Sequence, residues 1–149
     1  MIAPSTIEEL SEHVGEVGAS AWQPVTQEEV DRFADATGDH QWIHTDVARA
    51  SQTPLGGTIA HGFYTLSLAP KMLAELISFE RFGFAMNYGL NRVRFTSPLP
   101  VGDRVRMRVT LDSVAPRADG ADVATTLTFE RAGGDRPVCV AQLLIRVRL

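Results

Sequence analysis

Residues 61–79 read HGFYTLSLAPKMLAELISF, and the chain beyond them changes its period. Phe63, Tyr64, Leu66, Leu68, Ala69, Met72, Leu73, Leu76 and Ile77 cover nearly every face of a helical wheel, which predicts one buried helix from His61 to Phe79. Pro70 lacks an N–H and is expected to kink or divide that helix. Downstream, Arg92-Val93-Arg94-Phe95 and Arg104-Val105-Arg106-Met107-Arg108-Val109 alternate polar with apolar residues, as half-buried strands do. Further strands fit Val123 to Arg131 and Val138 to Arg148. Turn residues separate them at Ser97-Pro98 through Gly102-Asp103, at Pro116 to Gly120, and at Gly133-Gly134-Asp135. A buried helix followed by an antiparallel meander is an α+β arrangement, with one face of a curved sheet wrapping the helix and the other in water.

Upstream of the helix, Thr6 to His13 suits a short helix and Ala19 to Val25 a short strand containing Trp22. Thr26 and Glu29 form a capping box for a helix with Val30, Phe33, Ala34 and Ala36 on its buried stripe, and Gly38 is expected to end it. The stretch DHQWIHTDVARASQTPLGGTIAHG then reads as a long polar loop with one helical turn from Thr45 to Ala50. Loops of that length in compact domains are commonly functional.

The chain has 149 residues and a net charge of −4. Its length suits one domain, residues 1–149. The charge gives no reason to expect a nucleic-acid partner. Cys139 is the single cysteine and sits between valines, as a small core residue would. An internal disulfide is therefore excluded. No apolar run reaches membrane-spanning length and no signal peptide is visible at the N-terminus, so a cytoplasmic setting without a membrane partner is expected.

Reactive groups concentrate in FADATGDHQWIH, residues 33–44. Asp39 and His44 are five residues apart on chain that has just left a helix, so a loop can aim both at one point. A carboxylate and an imidazole sharing a water form a general acid/base pair. The competing reading makes Gly38-Asp39 turn chemistry and His44 an interior residue. At His61-Gly62, an unpaired N–H opening a helix can receive a developing oxyanion. Equally, the glycine can serve close packing there. Together these groups suit addition of water across a double bond conjugated to a carbonyl, with no cofactor. A metal site at Asp39, His40 and His44 is disfavoured, because Gly38 and its neighbours do not favour the helix that would align both imidazoles. Five arginines against one aspartate lie between 92 and 108. They read as an outer sheet face, with Arg92 and Arg94 as candidates for an anionic phosphate. Trp42 is the candidate for an acyl tunnel, and Tyr64 for the core.

The segment Phe33 to Ala50 resembles the motif of the MaoC-like, or (R)-specific, enoyl-CoA hydratases. Phe33 matches its aromatic position, Gly38-Asp39 its Gly-Asp, Ile43-His44 its aliphatic-His, and Ala50 its closing small residue. Gln41 and Trp42 stand where Asn and Pro are usual. IAHGFYTLSLAP resembles the family's central helix and NRVRFTSPLPVGDRV its strand–turn–strand segment. A serine that some members carry farther along the helix has no counterpart, Pro70 standing near its position. The resemblance implies a hot-dog fold, a homodimer whose sheets join, and an acyl-CoA thioester substrate. It implies Asp39 and His44 as the catalytic pair, with Gly62, and beside it His61, Gln41 and Trp42, in contact with substrate. The expected reaction hydrates a trans-2-enoyl-CoA to an (R)-3-hydroxyacyl-CoA. An acyl-CoA thioesterase and a non-catalytic acyl-CoA-binding subunit are the alternatives on the same fold.

Overall fold

A computed structural model describes residues 1–149. In chain order it contains α1 (Ile7–Glu12), β1 (Gly15–Ala19), β2 (Gln23–Pro24), α2 (Gln27–Thr37), α3 (Trp42–Thr45), α4 (Val47–Ser51), α5 (Gly62–Ser67), α6 (Ala69–Ala74), β3 (Phe84–Arg94), β4 (Arg104–Arg117), β5 (Gly120–Arg131) and β6 (Cys139–Arg148). The strands form one antiparallel sheet in the order β1-β4-β5-β6-β3, with β2 paired to β4 beyond β1. The expected α+β architecture is present.

The alternation on β4, β5 and β6 explains their placement. Val105, Met107, Val109 and Leu111 from β4 meet Val123, Leu127 and Phe129 from β5 and Ile145 and Val147 from β6 in one buried layer. Tyr64, Ala69, Met72 and Leu73 press onto that layer from α5 and α6. Each large apolar side chain buried there contributes roughly 1.5–3 kcal/mol. The opposite face is polar. Arg106 and Arg108 pair with Glu130, Arg108 also with Glu16, and Arg146 with Asp122. These ion pairs support the outer-face reading for Arg106 and Arg108.

Three expectations need correction. The helix over 61–79 divides at Leu68 into α5 and α6, as Pro70 predicts, but it ends at Ala74 rather than at Phe79. Pro70 cannot donate to the Leu66 carbonyl, so the ladder is interrupted and the proline sits in the first turn of α6 instead. Beyond Ala74 the chain leaves the helix and bridges the N-terminus, with Ile2 N–H donating to the Leu76 carbonyl at 2.8 Å and Ser78 N–H to the Ile2 carbonyl at 2.9 Å. Second, the strand expected over 19–25 is split into β1 and β2, which leaves Trp22 outside both, beneath the Arg106 guanidinium at 4.6 Å. Third, β3 begins at Phe84 rather than Arg92. Register shifts between Asn87 and Gly89, and between Leu90 and Arg92, move the residues between them out of strict alternation.

Candidate active site

The N-cap and C-cap form as expected, while the reciprocal half of the capping box does not: the Glu29 carboxylate accepts from the Thr26 and Tyr64 hydroxyls instead of Thr26 N–H. The Thr26 side chain accepts from Glu29 N–H, and Gly38 ends α2 with φ 78°, a left-handed value that suits glycine. That turn sends Asp39 out of the helix to lie beside His61. Asp39 stays exposed, its side chain held only by a long 3.4 Å contact from Gln41 N–H. The segment expected as mostly loop then forms α3 and α4, and α3 carries His44 inward to 7% exposure.

Backbone pairing fixes the imidazole. Ile59 N–H donates to the Ile43 carbonyl at 3.0 Å, and the Ile59 carbonyl lies 2.7 Å from His44 Nδ1. A carbonyl only accepts, so Nδ1 carries the proton and the lone pair of neutral His44 falls on Nε2. Gln27 braces this arrangement from α2. Its amide nitrogen donates to the His44 carbonyl at 2.7 Å, and its amide oxygen accepts from Thr58 Oγ1 at 2.6 Å. Burial pushes the His44 pKa down from its ordinary value, assisted by neighbouring His61 and opposed by the bond to Ile59 and the charge of Asp39. The ring is therefore a neutral base at neutral pH.

His61 is also buried, at 3% exposure. Its ring stacks on that of His44 with centroids 3.8 Å apart and 24° between planes. The other side of it meets Phe33 at 5.0 Å. His61 Nε2 donates to the Asp39 carbonyl at 2.9 Å and lies 4.0 Å from the Asp39 carboxylate, while Nδ1 is buried without a partner. Asp39, His44 and His61 thus gather with one ligand atom from each within 4.8 Å of the others. They are poorly arranged for a metal ion. An ion must lie near the plane of each imidazole it binds, and two nearly parallel stacked rings offer no such shared point.

Gly62 opens α5 beside this group, and its N–H has no acceptor within the chain. The phenyl ring of Phe95 lies against it so closely that a Cβ would come within 2.9 Å of the ring. The glycine permits this close packing, and its N–H is left without an acceptor. His44, Gly62, Thr65, Phe95, Thr96 and Ser97 are among the residues lining a cleft of about 320 Å³.

Several candidates lie elsewhere. Gln41 is exposed at the start of α3, where its carbonyl accepts from His44 N–H at 2.9 Å. Trp42 is half-buried under the Arg49 guanidinium at 4.2 Å and does not line the cleft. Tyr64 is in the core, and its hydroxyl donates to Glu29 at 3.1 Å. Arg92 and Arg94 are exposed on β3 without a carboxylate partner, also outside the cleft. His40 points to Asp35, 3.7 Å away, rather than joining Asp39 and His44. Sequence reading missed Ile59, Gln27 and Phe95. Ile59 and the His44 end of the Gln27 bridge act through backbone groups, which leave no residue-type signal. Phe95 was legible only as a strand residue.

The sequence and the fold both have known relatives. The family described as MaoC like domain matches residues 9–132. The chain is 48% identical over 143 residues to 3-hydroxyacyl-thioester dehydratase Z of Mycobacterium tuberculosis, covering 95% of each. A solved Archaeoglobus protein, described as a monoamine oxidase regulatory protein, superposes with a TM-score of 0.83 at 25% identity over 99% of this chain and 96% of that one. The (R)-hydratase of A. caviae superposes with a TM-score of 0.71, also at 25% identity, over 87% of this chain and 95% of its own.

Proposed function

The chain belongs to the MaoC-like dehydratase family, with its hot-dog fold and its hydratase/dehydratase activity, and from that membership we propose that it interconverts trans-2-enoyl and (R)-3-hydroxyacyl thioesters, with acyl-CoA as substrate. One observation carries this reading: His44 presents a base at Nε2, its other nitrogen tied to Ile59, beside the Asp39 carboxylate and the free N–H of Gly62. Asp39 and His44 share no direct hydrogen bond and each brings a ligand atom within 4.8 Å of the other, a gap that one water can bridge. In the hydration direction Asp39 accepts one hydrogen of that water and orients it. His44 Nε2 takes the other proton as the oxygen attacks the β-carbon. Negative charge moves to the thioester oxygen, where the Gly62 N–H receives it. The imidazolium then returns its proton to the α-carbon on the same face, so the elements of water are added and His44 is restored. No cofactor enters this sequence.

We further propose a homodimer joined along β3. That strand is an edge with unpaired backbone groups, and Phe84, Met86 and Tyr88 lie half-exposed on it. Pairing with a second copy would cover both.

The test follows loss of the conjugated enoyl-thioester absorbance with crotonyl-CoA, comparing wild type with Asp39→Asn. Wild-type loss without thiol release, reduced about 10²–10⁴-fold in the variant, is expected. Thiol release from a saturated acyl-CoA would favour a thioesterase, and binding without turnover at any chain length a non-catalytic subunit.

A further inference from the structure

Gln27 is the first residue of α2, and its half-buried side chain uses every polar atom it has. Nε2 donates to the His44 carbonyl at 2.7 Å and to Asp31 Oδ1 at 2.8 Å, while Oε1 accepts from Thr58 Oγ1 at 2.6 Å. Asp31 lies one turn along the same helix and its carboxylate only accepts, so it orients the amide, nitrogen toward His44 and oxygen toward Thr58. Thr58 is buried, at 4% exposure, and its hydroxyl proton is satisfied by that oxygen. We propose that Gln27, oriented by Asp31 and fastened by Thr58, is a positioning residue that selects the Nδ1–H tautomer of His44 and sets the imidazole's place beside Asp39. The proposal rests on the acid/base reading of His44 given above.

The argument turns on what holds α3 against the chain that leads into α5. Three links cross that gap: Ile59 N–H to the Ile43 carbonyl, His44 Nδ1–H to the Ile59 carbonyl, and the Gln27 amide between His44 and Thr58. The two sides of the gap are not equally firm. Residues 58–60 are fastened on their far side, with Val101 N–H donating to the Thr58 carbonyl at 2.9 Å and Ala60 N–H to the Leu99 carbonyl at 2.8 Å. α3 has only four residues, too few to hold its place by its own ladder. It is therefore the side that would move. Of the three links, the Gln27 amide also belongs to α2, the helix whose Gly38 turn leads into Asp39. Both members of the acid/base pair are thus referenced to one helix. Without the amide, α3 can draw away from Ile59, and the ring loses the acceptor that tells its two nitrogens apart. In the other tautomer the proton sits on Nε2, and the lone pair that should take a proton from water is turned toward residue 59 instead.

The experiment reads the tautomer of neutral His44 by NMR of the full chain carrying isotopically labelled histidine nitrogens, with the His44 signals assigned by their absence in His44→Gln. Hydration of crotonyl-CoA supplies kcat and KM on the same samples. Wild type is expected to carry the proton on Nδ1. Gln27→Met and Thr58→Val, each close in shape to the residue it replaces, should show a mixture of the two tautomers. They should also lower kcat by roughly 10- to 100-fold with KM little changed, since a displacement of about 1 Å in a reacting group can cost on the order of 10²-fold. Thr58→Ser keeps the hydroxyl and should keep the wild-type tautomer and most of kcat. Thr58→Val leaves α2 untouched, so it carries the test alone should Gln27→Met fail to fold. An undisturbed Nδ1–H signature or an undisturbed kcat in these two variants would overturn the proposal, as would Thr58→Ser behaving like Thr58→Val. The tautomer signal needs no turnover, so failure of the hydratase reading would appear separately, as a wild type that hydrates nothing while its tautomer still answers to Gln27 and Thr58.

Discussion

Replacing His61 with phenylalanine separates fold from catalysis at one position. His61 contributes a 2.9 Å hydrogen bond to the Asp39 carbonyl and a flat contact with His44 at 3.8 Å. Phenylalanine retains the ring and loses the bond, which costs about 0.5–1.5 kcal/mol. It also removes Nδ1, a buried polar atom without a partner, and so relieves a penalty of about 1–3 kcal/mol. The slightly larger ring against Phe33 and His44 consumes part of that gain. The terms nearly cancel, so His61→Phe should change stability by no more than about 1 kcal/mol and move Tm by a few degrees at most. Catalysis has no such compensation. Asp39 is exposed, and its backbone loses the tether that holds it beside His44. Displacements of about 1 Å in a reacting group can cost on the order of 10²-fold, so a fall in kcat of roughly 10- to 100-fold is expected. The acid limb of the pH–rate profile should also move slightly upward, because His61 is one of the groups lowering the His44 pKa. Urea unfolding and crotonyl-CoA hydration across pH measure both quantities. Wild-type kcat in this variant would refute the tethering role. A stability loss beyond about 3 kcal/mol would refute the cancellation.

The remaining expectations concern titration, the sheet and assembly. The folded His44 pKa lies below the ordinary 6.5, so the unfolded chain binds more protons in the interval between the two values. The associated stability is present above 6.5 and is lost as pH falls through that value toward the folded pKa. Urea unfolding at about pH 7.5 and about pH 5.5 should show a smaller pH effect in His44→Gln than in wild type; equal effects would contradict this. Gly120 has φ 151°, and a Cβ there would run into the Val147 carbonyl across the β5–β6 pair. Gly120→Ala should therefore cost about 3 kcal/mol or more in urea unfolding, and an unchanged midpoint would show that the hairpin can shift. Met86→Glu, placed on the exposed part of β3, should convert a dimer to a monomer in sedimentation equilibrium, and an unchanged mass would place the interface elsewhere.

The parts of the fold that were legible share a property: one face is buried and the other wet. On β4 from Arg104 to Leu111 polar and apolar residues alternate, and on β6 burial alternates along the whole strand even where Val140 and Leu144 occupy its less buried face, so period identifies both. β3 lacks that contrast over residues 84–92. Its edge position exposes most of it, and the bulges put Tyr88 and Asn91 outside the paired register. The helix at 61–79 shows one residue outweighing composition, as its proline predicts. Its composition is apolar enough for one long helix, yet the missing N–H of Pro70 decides the outcome, because a single absent donor interrupts the ladder whatever the surrounding propensity.

Asp39, His44 and His61 were each visible as reactive residue types, but their relation was not. The expectation places His61 beside the substrate, and the structure stacks it on His44 and bonds it to the backbone of Asp39. That relation arises because the start of α5 and the turn after α2 converge, and neither segment carries the information alone. The same holds for the base itself. Which nitrogen of His44 is free depends on the carbonyl of Ile59, fifteen residues away. Any side chain at 59 supplies that carbonyl, so the sequence is silent about it. What residue 59 must do is hold the extended backbone that bonds Ile43 on one side and bridges Pro100 on the other. Substitutions that keep this path should preserve the tautomer, and proline at 59 should lose it, because the N–H that bonds Ile43 would be gone.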